Sequence, residues 1–471
     1  MSGRILIGLV LLLLAGCASV VKPPTLDHEQ QQCWQHFSEL DAQLAAAGLH
    51  DAGEYRIPGF PYLRSNRLLA SFASELEDEA RLAHWLAQLA GLDEQARHFE
   101  LLRLHGDPQQ AEAQSRRLNH CRTLLLEHDR QRPQRLDALI QASQVPDDYL
   151  NRLRLFGLYP VSALGIRWGI RNWHRETHAS YAMPLGHLPV EGRLHRWASP
   201  GQAPPPPGPI PHDPLGQPQP DPQQTQQLFA QHAPIWEVDV VDENDLIGGF
   251  RWQDGPRLDP RHPTEYRHLS HTRFGDEVLL QLNYLIWFPA RPGNDIYAGW
   301  LDGIHWRVTL AADGRPLWYD SIHPCGCYHL FFPTDRVRWV EGQPTTGLLE
   351  PPLSPQTAPE AGRLVLRIEH TRHYIARLYP DGGERPALAL RPRPYNELRA
   401  LPAEDSWHSL FDQHGLLPGT ERPERWLFWP MGIRSAGAMR QWGRHPTAFV
   451  GRRHFDEAFM FESLFEVRPN E

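Results

Sequence analysis

The sequence predicts an α+β protein: a helical N-terminal domain followed by a β-rich C-terminal domain. Three observations lead there. Between residues 28 and 198, apolar side chains recur at three- and four-residue intervals, the period of one helix face. From 200 to 222, 11 of 23 residues are proline, a composition that favours extended polyproline geometry and builds no core. Beyond about Trp236 the apolar residues alternate instead, as in half-buried strands, and many of the 16 tryptophans fall in this half. The 471 residues are enough for two or three domains, and with 41% hydrophobic and 22% charged residues most of the chain can bury a core.

The first element is an address. Arg4 supplies a short basic start, and the apolar run 5–14 is too short to span a bilayer as a permanent helix. Small residues Ala15 and Gly16 then precede Cys17. The run Leu14-Ala15-Gly16-Cys17 resembles the lipobox of bacterial lipoproteins. That resemblance implies cleavage before Cys17 and a diacylglycerol on its sulfur. Because Ala18 follows, rather than an aspartate, it also implies sorting to the outer membrane, on the periplasmic face. The membrane would be held through the N-terminal acyl chains, with 18–27 as a tether. The body resembles an uncharacterised family of envelope lipoproteins, which implies no particular activity.

The expected organisation is a signal and lipidation site at 1–17, a helical domain at 28–198, a proline-rich linker at 199–228 and a β-rich domain at 233–471. In the helical part, Trp34, Phe37, Leu40 and Leu44 share one face, as do Leu82, Trp85, Leu86 and Leu89. A third segment, 118–139, carries Cys121. A helix-like stretch then starts at Pro146 and runs to Trp173. Its apolar run, residues 155–170, is interrupted by Gly157, Pro160 and Gly165, so it is expected in a buried core rather than across a membrane. In the β-rich part, Leu280, Leu282, Tyr284, Ile286 and Phe288 alternate along one strand, 364–368 is another, and 454–465 reads as a closing helix.

Net charge is −9 and no Lys/Arg block stands out, which argues against a nucleic-acid partner and leaves an envelope protein or cell-wall material. Setting Cys17 aside, Cys33, Cys121, Cys325 and Cys327 remain, an even number in an oxidising compartment. Cys33 and Cys121 would each sit within a helix, so a bridge between two helices is expected, with three pairings open in principle.

The densest group of reactive residues lies at 304–329, IHWRVTLAADGRPLWYDSIHPCGCYH. Its first part reads as a hairpin with Asp313-Gly314 as a two-residue type I′ turn. Counting back from Ala312 opposite Arg315 sets Arg307 opposite Asp320, a cross-strand ion pair. The same count sets His305 opposite Ile322 and places His323 on the other face, so the two histidines are not expected to share a site. The segment also resembles the signature of L,D-transpeptidases, in which a histidine is followed after about fifteen residues by Ser-His-Gly-Cys. Here Gly303-Ile304-His305 precedes Ser321-Ile322-His323-Pro324-Cys325. That resemblance implies Cys325 as nucleophile and His323 as its activating base. Ile322 is inserted, Pro324 stands for the glycine, and no arginine follows Cys325.

His323, Cys325, Cys327 and His329 fall at every second position. A straight strand would spread them over roughly 20 Å, too far for one metal, but bends at Pro324 and Gly326 would bring in two or three. Such a thiolate–imidazole set suits zinc or copper(I). Cys325 and Cys327 are alternatively a tight disulfide or a reactive thiol pair. Weaker candidates are the pairs His268/His271 and His370/His373 and the Arg-, Gly- and His-rich stretch 434–453. No Gly-rich phosphate loop, Gly-x-Ser-x-Gly elbow or His-Glu-x-x-His pair is present. Two classes stay open: a non-catalytic binding or structural protein of the envelope, and a cell-wall-directed enzyme using a thiol or a metal.

Overall fold

The computed structural model describes residues 25–200, 207–340, 350–359, 362–383 and 385–468. Cys17 and the run before it lie outside the described residues. The protein is α+β, with most helices in the N-terminal half and most strands in the C-terminal half.

Local chemistry sets the helix ends. Helix α1 (His28–Ala47) starts on a capping box between Asp27 and Gln30 and stops where Gly48 turns left-handed at φ +67°. Helices α2 (Glu79–His105) and α3 (Pro108–Arg130) start on the carboxylates of Asp78 and Asp107. Pro133 opens a separate helix, α4 (Pro133–Ala142), so the expected 118–139 segment is two helices. Phe37, Leu40 and Leu44 of α1 meet Trp85, Leu86 and Leu89 of α2 and Leu118 and Leu125 of α3 in one core. Cys33 and Cys121 are bonded, which staples α1 to α3 across a sequence separation of 88.

Helix α5 (Tyr159–Ala182) leaves this bundle. After it the chain enters strand β1 (Arg193–Ala198), which pairs antiparallel with β2 (Ile235–Val240). The helical region therefore ends before β1, because β1's Trp197 packs in the core of the β-rich part. Between β1 and β2 the described part of the expected linker is an ordered loop and a helix, α6 (Pro222–His232). The loop docks on α2: Asp213 accepts from His84 and Gln88, Gln217 donates to Gln88, and Leu215 enters the helical core.

The large sheet contains β3 (Thr264–Phe274), β4 (Glu277–Arg291), β5 (Gly299–Leu310), β6 (Pro316–Ile322) and β7 (Leu330–Pro333). The two large sheets are completed by β8 (Leu364–Ile368), β9 (Ile375–Pro380), β10 (Leu388–Ala389) and β11 (Arg391–Pro394). The six-stranded sheet has the order β7-β6-β5-β4-β3-β11, and the five-stranded sheet β9-β8-β2-β1-β10. Their facing sides share one core: Leu280, Leu282, Tyr284, Ile286 and Phe288 of β4 meet Trp236, Val238 and Leu366 across it. The alternation in β4 thus marks the face it was expected to mark.

The β5–β6 register places Arg307 opposite Asp320 and His305 opposite Ile322, as the count requires. The turn differs from the expected type I′. Ala311 N bonds Arg315 O and Gly314 N bonds Ala311 O, with left-handed Gly314, so the loop is longer by one residue. A bulge between Pro316 and Trp318 then restores the register. The Arg307–Asp320 pair is buried and bidentate at 2.9 and 2.6 Å.

Two expected elements are corrected. Residues 454–465 form turns rather than a helix, ending in a short strand, Phe465–Val467. Backbone groups that a helix would use internally are taken elsewhere: Ala458 O accepts from Arg273 N and Thr272, and Phe455 N donates to His445 O. The apolar run 155–170 is not buried throughout. Ala163 and Ile170 pack on Met431 and Val450, whereas Leu155, Phe156, Leu158, Val161, Leu164 and Trp168 are exposed.

The staple is directly testable. Replacing Cys33 and Cys121 by serine should destabilise the protein by about 2–4 kcal/mol. Urea unfolding should show reductant bringing the native chain down to the level of the variant.

Candidate functional site

Asp302 lies near the start of β5, just after Leu301, which holds φ +59°. It points into the core between the sheets, with no exposure. There it accepts from Nδ1 of His323 at 2.9 Å, from Nδ1 of His373 at 3.1 Å and from its neighbour Gly303 N at 2.9 Å. The Arg422 guanidinium stands 3.8 Å away. His373 comes from the β8–β9 connection, where Thr371 and His373 both hold left-handed backbone at φ +62° and +53°. Its ring stacks on Phe288 at 4.0 Å, and its Nε2 lies 3.3 Å from Asp245 of the turn Glu243–Asp245. Among the described residues seven non-glycines have positive φ, and four of them, Leu301, Tyr328, Thr371 and His373, lie at or beside the groups that meet Asp302, His323 and Asp245. Such strain persists only where surrounding contacts over-determine it, and it concentrates at working sites.

The electrostatics follow from this geometry. Burial opposes ionisation of Asp302, but the two imidazoles and Arg422 outweigh it and hold its carboxyl well below the usual range. Burial likewise opposes protonation of His373, yet Asp245 and Asp302 raise its pKa above the ordinary imidazole value. His323 goes the other way, because burial outweighs the pull of Asp302 and lowers its pKa. Along the row, Asp245 and Asp302 are biased toward the carboxylate, His373 toward the imidazolium and His323 toward the neutral ring, whose Nδ1–H is fixed on Asp302. Burial also lifts the Glu424 carboxyl, near Arg422 and Arg291, to about 7.

His323 and Ser321 line a cavity of about 290 Å³ between the β6 end, α5 and the β8–β9 connection. Trp173 and Tyr181 of α5 form an aromatic wall, and Tyr328 and Tyr374 stand edge-on to the His323 ring at 5.0 and 5.6 Å. Glu176, Glu369 and Arg372 add charge to the lining. With Nδ1 committed to Asp302, Nε2 is the His323 nitrogen left for the cavity.

The segment 323–329 does not follow the sequence-derived expectations as a unit. His323 to Gly326 is a tight turn closed by Gly326 N on His323 O, and His323 N bonds Cys327 O. Gly326 is left-handed, and a side chain there would strike Pro446 O at 2.4 Å. The turn sends the four candidate ligands apart. His323 goes to Asp302, whereas His329 goes to the other face of the sheet and bonds Asp320 at 2.9 Å. Among the described residues no group of three or more His, Cys, Asp or Glu is placed to hold a metal, so neither zinc nor copper finds a centre on Cys325, Cys327, His323 and His329.

Cys325 and Cys327 are free and buried, not bridged. They face a separate small cavity with Glu350 and Ala448, and Tyr328 stands between it and the His323 cavity. Burial disfavours a Cys325 thiolate, but the Cys327 thiol and Arg422 outweigh it and lower the pKa. Cys327 is raised well above the usual thiol value by its bond to Cys325 and by burial. The catalytic Cys325–His323 pair that the transpeptidase resemblance implies is therefore not assembled: the thiol's partners are Cys327 and Arg422, and the imidazole's is Asp302.

The other candidates separate in the same way. His305 sits with His268, Trp442 and Phe455 on the face opposite His323. His271 bonds Pro218 O, and His370 lies 3.5 Å from Glu191. The arginines of 434–453 act as internal ties. Arg440 donates to the carbonyls of Cys325 and Ser435, and Arg453 to that of Thr447. No motif or spacing pointed to Asp302, Asp245 or Tyr374, and His373 carried only its spacing from His370. A second, polar cavity of about 500 Å³ lies between the helices and the large sheet, lined by Glu54, Arg399, His268, Tyr395, Trp442 and Asp456.

Comparison with protein-family models, with curated proteins and with solved structures finds no match in any of the three. The site's own chemistry therefore carries the functional reading.

Two outcomes follow from this geometry. Alkylation without reduction should leave Cys325 and Cys327 unmodified in the native protein and label both after denaturation, read by intact mass. The charged His373 contributes stability in full below its unfolded pKa of about 6.5 and loses it as pH rises through its raised folded pKa. His373→Gln should thus cost on the order of 3 kcal/mol at pH 6, with the gap to the native chain narrowing toward pH 9.

Proposed function

We propose that the protein is an envelope lipoprotein, anchored through Cys17, whose body carries a general-base hydrolytic centre at His323. The observation that supports it is the Asp302–His323 dyad opening on a cavity that Ser321 also lines. Asp302 fixes the tautomer with the proton on Nδ1, and the lowered pKa keeps Nε2 unprotonated at neutral pH. Nε2 accepts a proton from the Ser321 hydroxyl or from a water. The oxygen so activated attacks a carbonyl carbon, and the leaving group takes the proton back from Nε2; by the serine route a water, deprotonated in turn by Nε2, then releases the acid from acyl-Ser321, whose oxygen recovers the proton. The mixed aromatic and charged lining suits an amphipathic ester or amide.

Hydrolysis of short p-nitrophenyl esters and labelling by a fluorophosphonate test this reading. His323→Asn should lower turnover by about 10²–10⁴-fold. Native activity should already be at its plateau at pH 7, since the base titrates below the ordinary imidazole pKa. Ser321→Ala separates the two nucleophiles: if serine attacks, the native chain is labelled and the change abolishes both labelling and hydrolysis; if water attacks, the native chain is not labelled at Ser321 and hydrolysis survives the change. Equal turnover in the native chain and His323→Asn would sink the proposal.

A second reading, binding without turnover, is supported by the larger polar cavity. There both ring nitrogens of His268 are buried without a partner, beside Tyr395 and Trp442. Burial keeps that imidazole neutral, with its pKa down to about 3, so it offers one donor and one acceptor to a polar, saccharide-like ligand.

A further inference from the structure

We infer that the folded body carries a second membrane-contacting surface, built from the first half of α5 and the short helix Arg425–Phe428, that lies on an anionic lipid surface. Three observations carry it. The first is exposure. Phe156 is 70% exposed, Trp168 69% and Trp426 72%, with Leu155, Val161 and Leu164 also open to solvent. Large aromatic and aliphatic side chains at such exposure, on three adjoining short stretches of chain, are not the scattered apolar residues of an ordinary surface.

The second is contiguity. Leu150 N bonds Gly432 O at 2.8 Å and Arg154 Nε bonds Met431 O at 2.8 Å. A side chain added at Gly157 would meet Pro430 at 2.5 Å. Residues 150–157, which lead into α5, therefore abut residues 430–432, which follow the helix Arg425–Phe428, so the exposed side chains of the two segments lie on adjoining parts of the surface. The inner face of α5 is already occupied, since Ala163 and Ile170 are packed on Met431 and Val450. The outer face is left over after the fold has buried what it can.

The third is charge. From 149 to 175 the sequence holds five arginines, at 152, 154, 167, 171 and 175, and no Asp or Glu, in a chain of net charge −9. Val161, Leu164 and Trp168 fall on one helix face, and exposed Arg171 and Arg175 continue it. Apolar and tryptophan side chains bordered by arginine, on a helix lying along a surface, are the composition of an interfacial helix on anionic lipid. Among the described residues no helix is long and apolar enough to cross a membrane, so this one lies on the surface rather than spanning it.

Orientation follows. The second half of α5 lines the His323 cavity through Trp173, Glu176, Thr177 and Tyr181. Trp168 and Trp173 are five residues apart, about 7.5 Å along a helix. A body seated on this patch holds the cavity close to the lipid headgroups. The inference does not depend on lipidation at Cys17 or on catalysis at His323, and its test is arranged accordingly.

The test is co-sedimentation of the unlipidated chain, residues 18–471, with vesicles of phosphatidylethanolamine and phosphatidylglycerol at about 70:30, against vesicles of phosphatidylcholine alone. The native chain should sediment with the anionic vesicles and weakly with the zwitterionic ones. The double variant Trp168→Ser, Trp426→Ser should lower the bound fraction at least tenfold, and Arg171→Glu with Arg175→Glu should lower it on anionic vesicles only. Both variants should melt with the native chain, because all four side chains are exposed. A native chain that stays in the supernatant, or variants that bind as well as it does, overturns the inference. So does light scattering that shows a native dimer turned to monomer by the tryptophan changes without vesicle binding, which would make the patch an interface between two copies.

Discussion

A carboxylate held entirely out of water organises the centre of this protein. Removing a charge from water costs several kcal/mol unless partners replace the lost hydration. Asp302 has four polar neighbours: two imidazole N–H groups, one backbone N–H and a guanidinium. Delivering them draws on the turn after β6, the β8–β9 connection and the segment around Arg422, each far from the others in sequence. The left-handed backbones at Leu301, Thr371 and His373 fit that demand, since each lies at or beside a residue that must reach Asp302 or Asp245. The two carboxylates beside His373 raise its pKa, whereas burial lowers that of His323 beside the same aspartate.

The large sheet keeps two chemistries apart. On the inner face of β5, Asp302 faces the core between the sheets. On the outer face, Arg307 and Asp320 form their own buried pair, joined by His329 and covered by Phe455. Strand alternation alone would leave His323 and His329, six residues apart, on one side; the turn closed by Gly326 N on His323 O breaks that alternation, so the two serve different aspartates. The cysteines between them sit in the bend that makes the switch. A run of histidine and cysteine at every second position looks like one site in the sequence. In the fold it is the crossing point between two.

Helix α5 links the proposed functions. It buries a narrow stripe against Met431 and Val450, exposes an apolar and basic face in its first half, and gives its second half to the His323 cavity. A helix that packs on only part of its circumference has surface to spare, and here that surface is aromatic and cationic rather than acidic.

The sequence by itself determined what depends on local spacing. Apolar recurrence marked α1 and α2, alternation marked β4, and the distance back from the hairpin turn paired Arg307 with Asp320 and separated His305 from His323. The Cys33–Cys121 bridge was legible because both residues sit within helices whose apolar faces meet. The register survived a wrong turn type because the extra loop residue and the bulge after Pro316 cancel. Only the tertiary structure decided which residues lie opposite one another across long separations. Asp302 and His373 are 71 positions apart, and nothing local to either indicates the other. It also decided that most of the large side chains in the apolar run at 155–168 face outward and that 454–465 folds as turns, because both depend on whether a partner surface arrives. Periodicity fixes the side to which a residue points. What waits on that side is set by the rest of the chain.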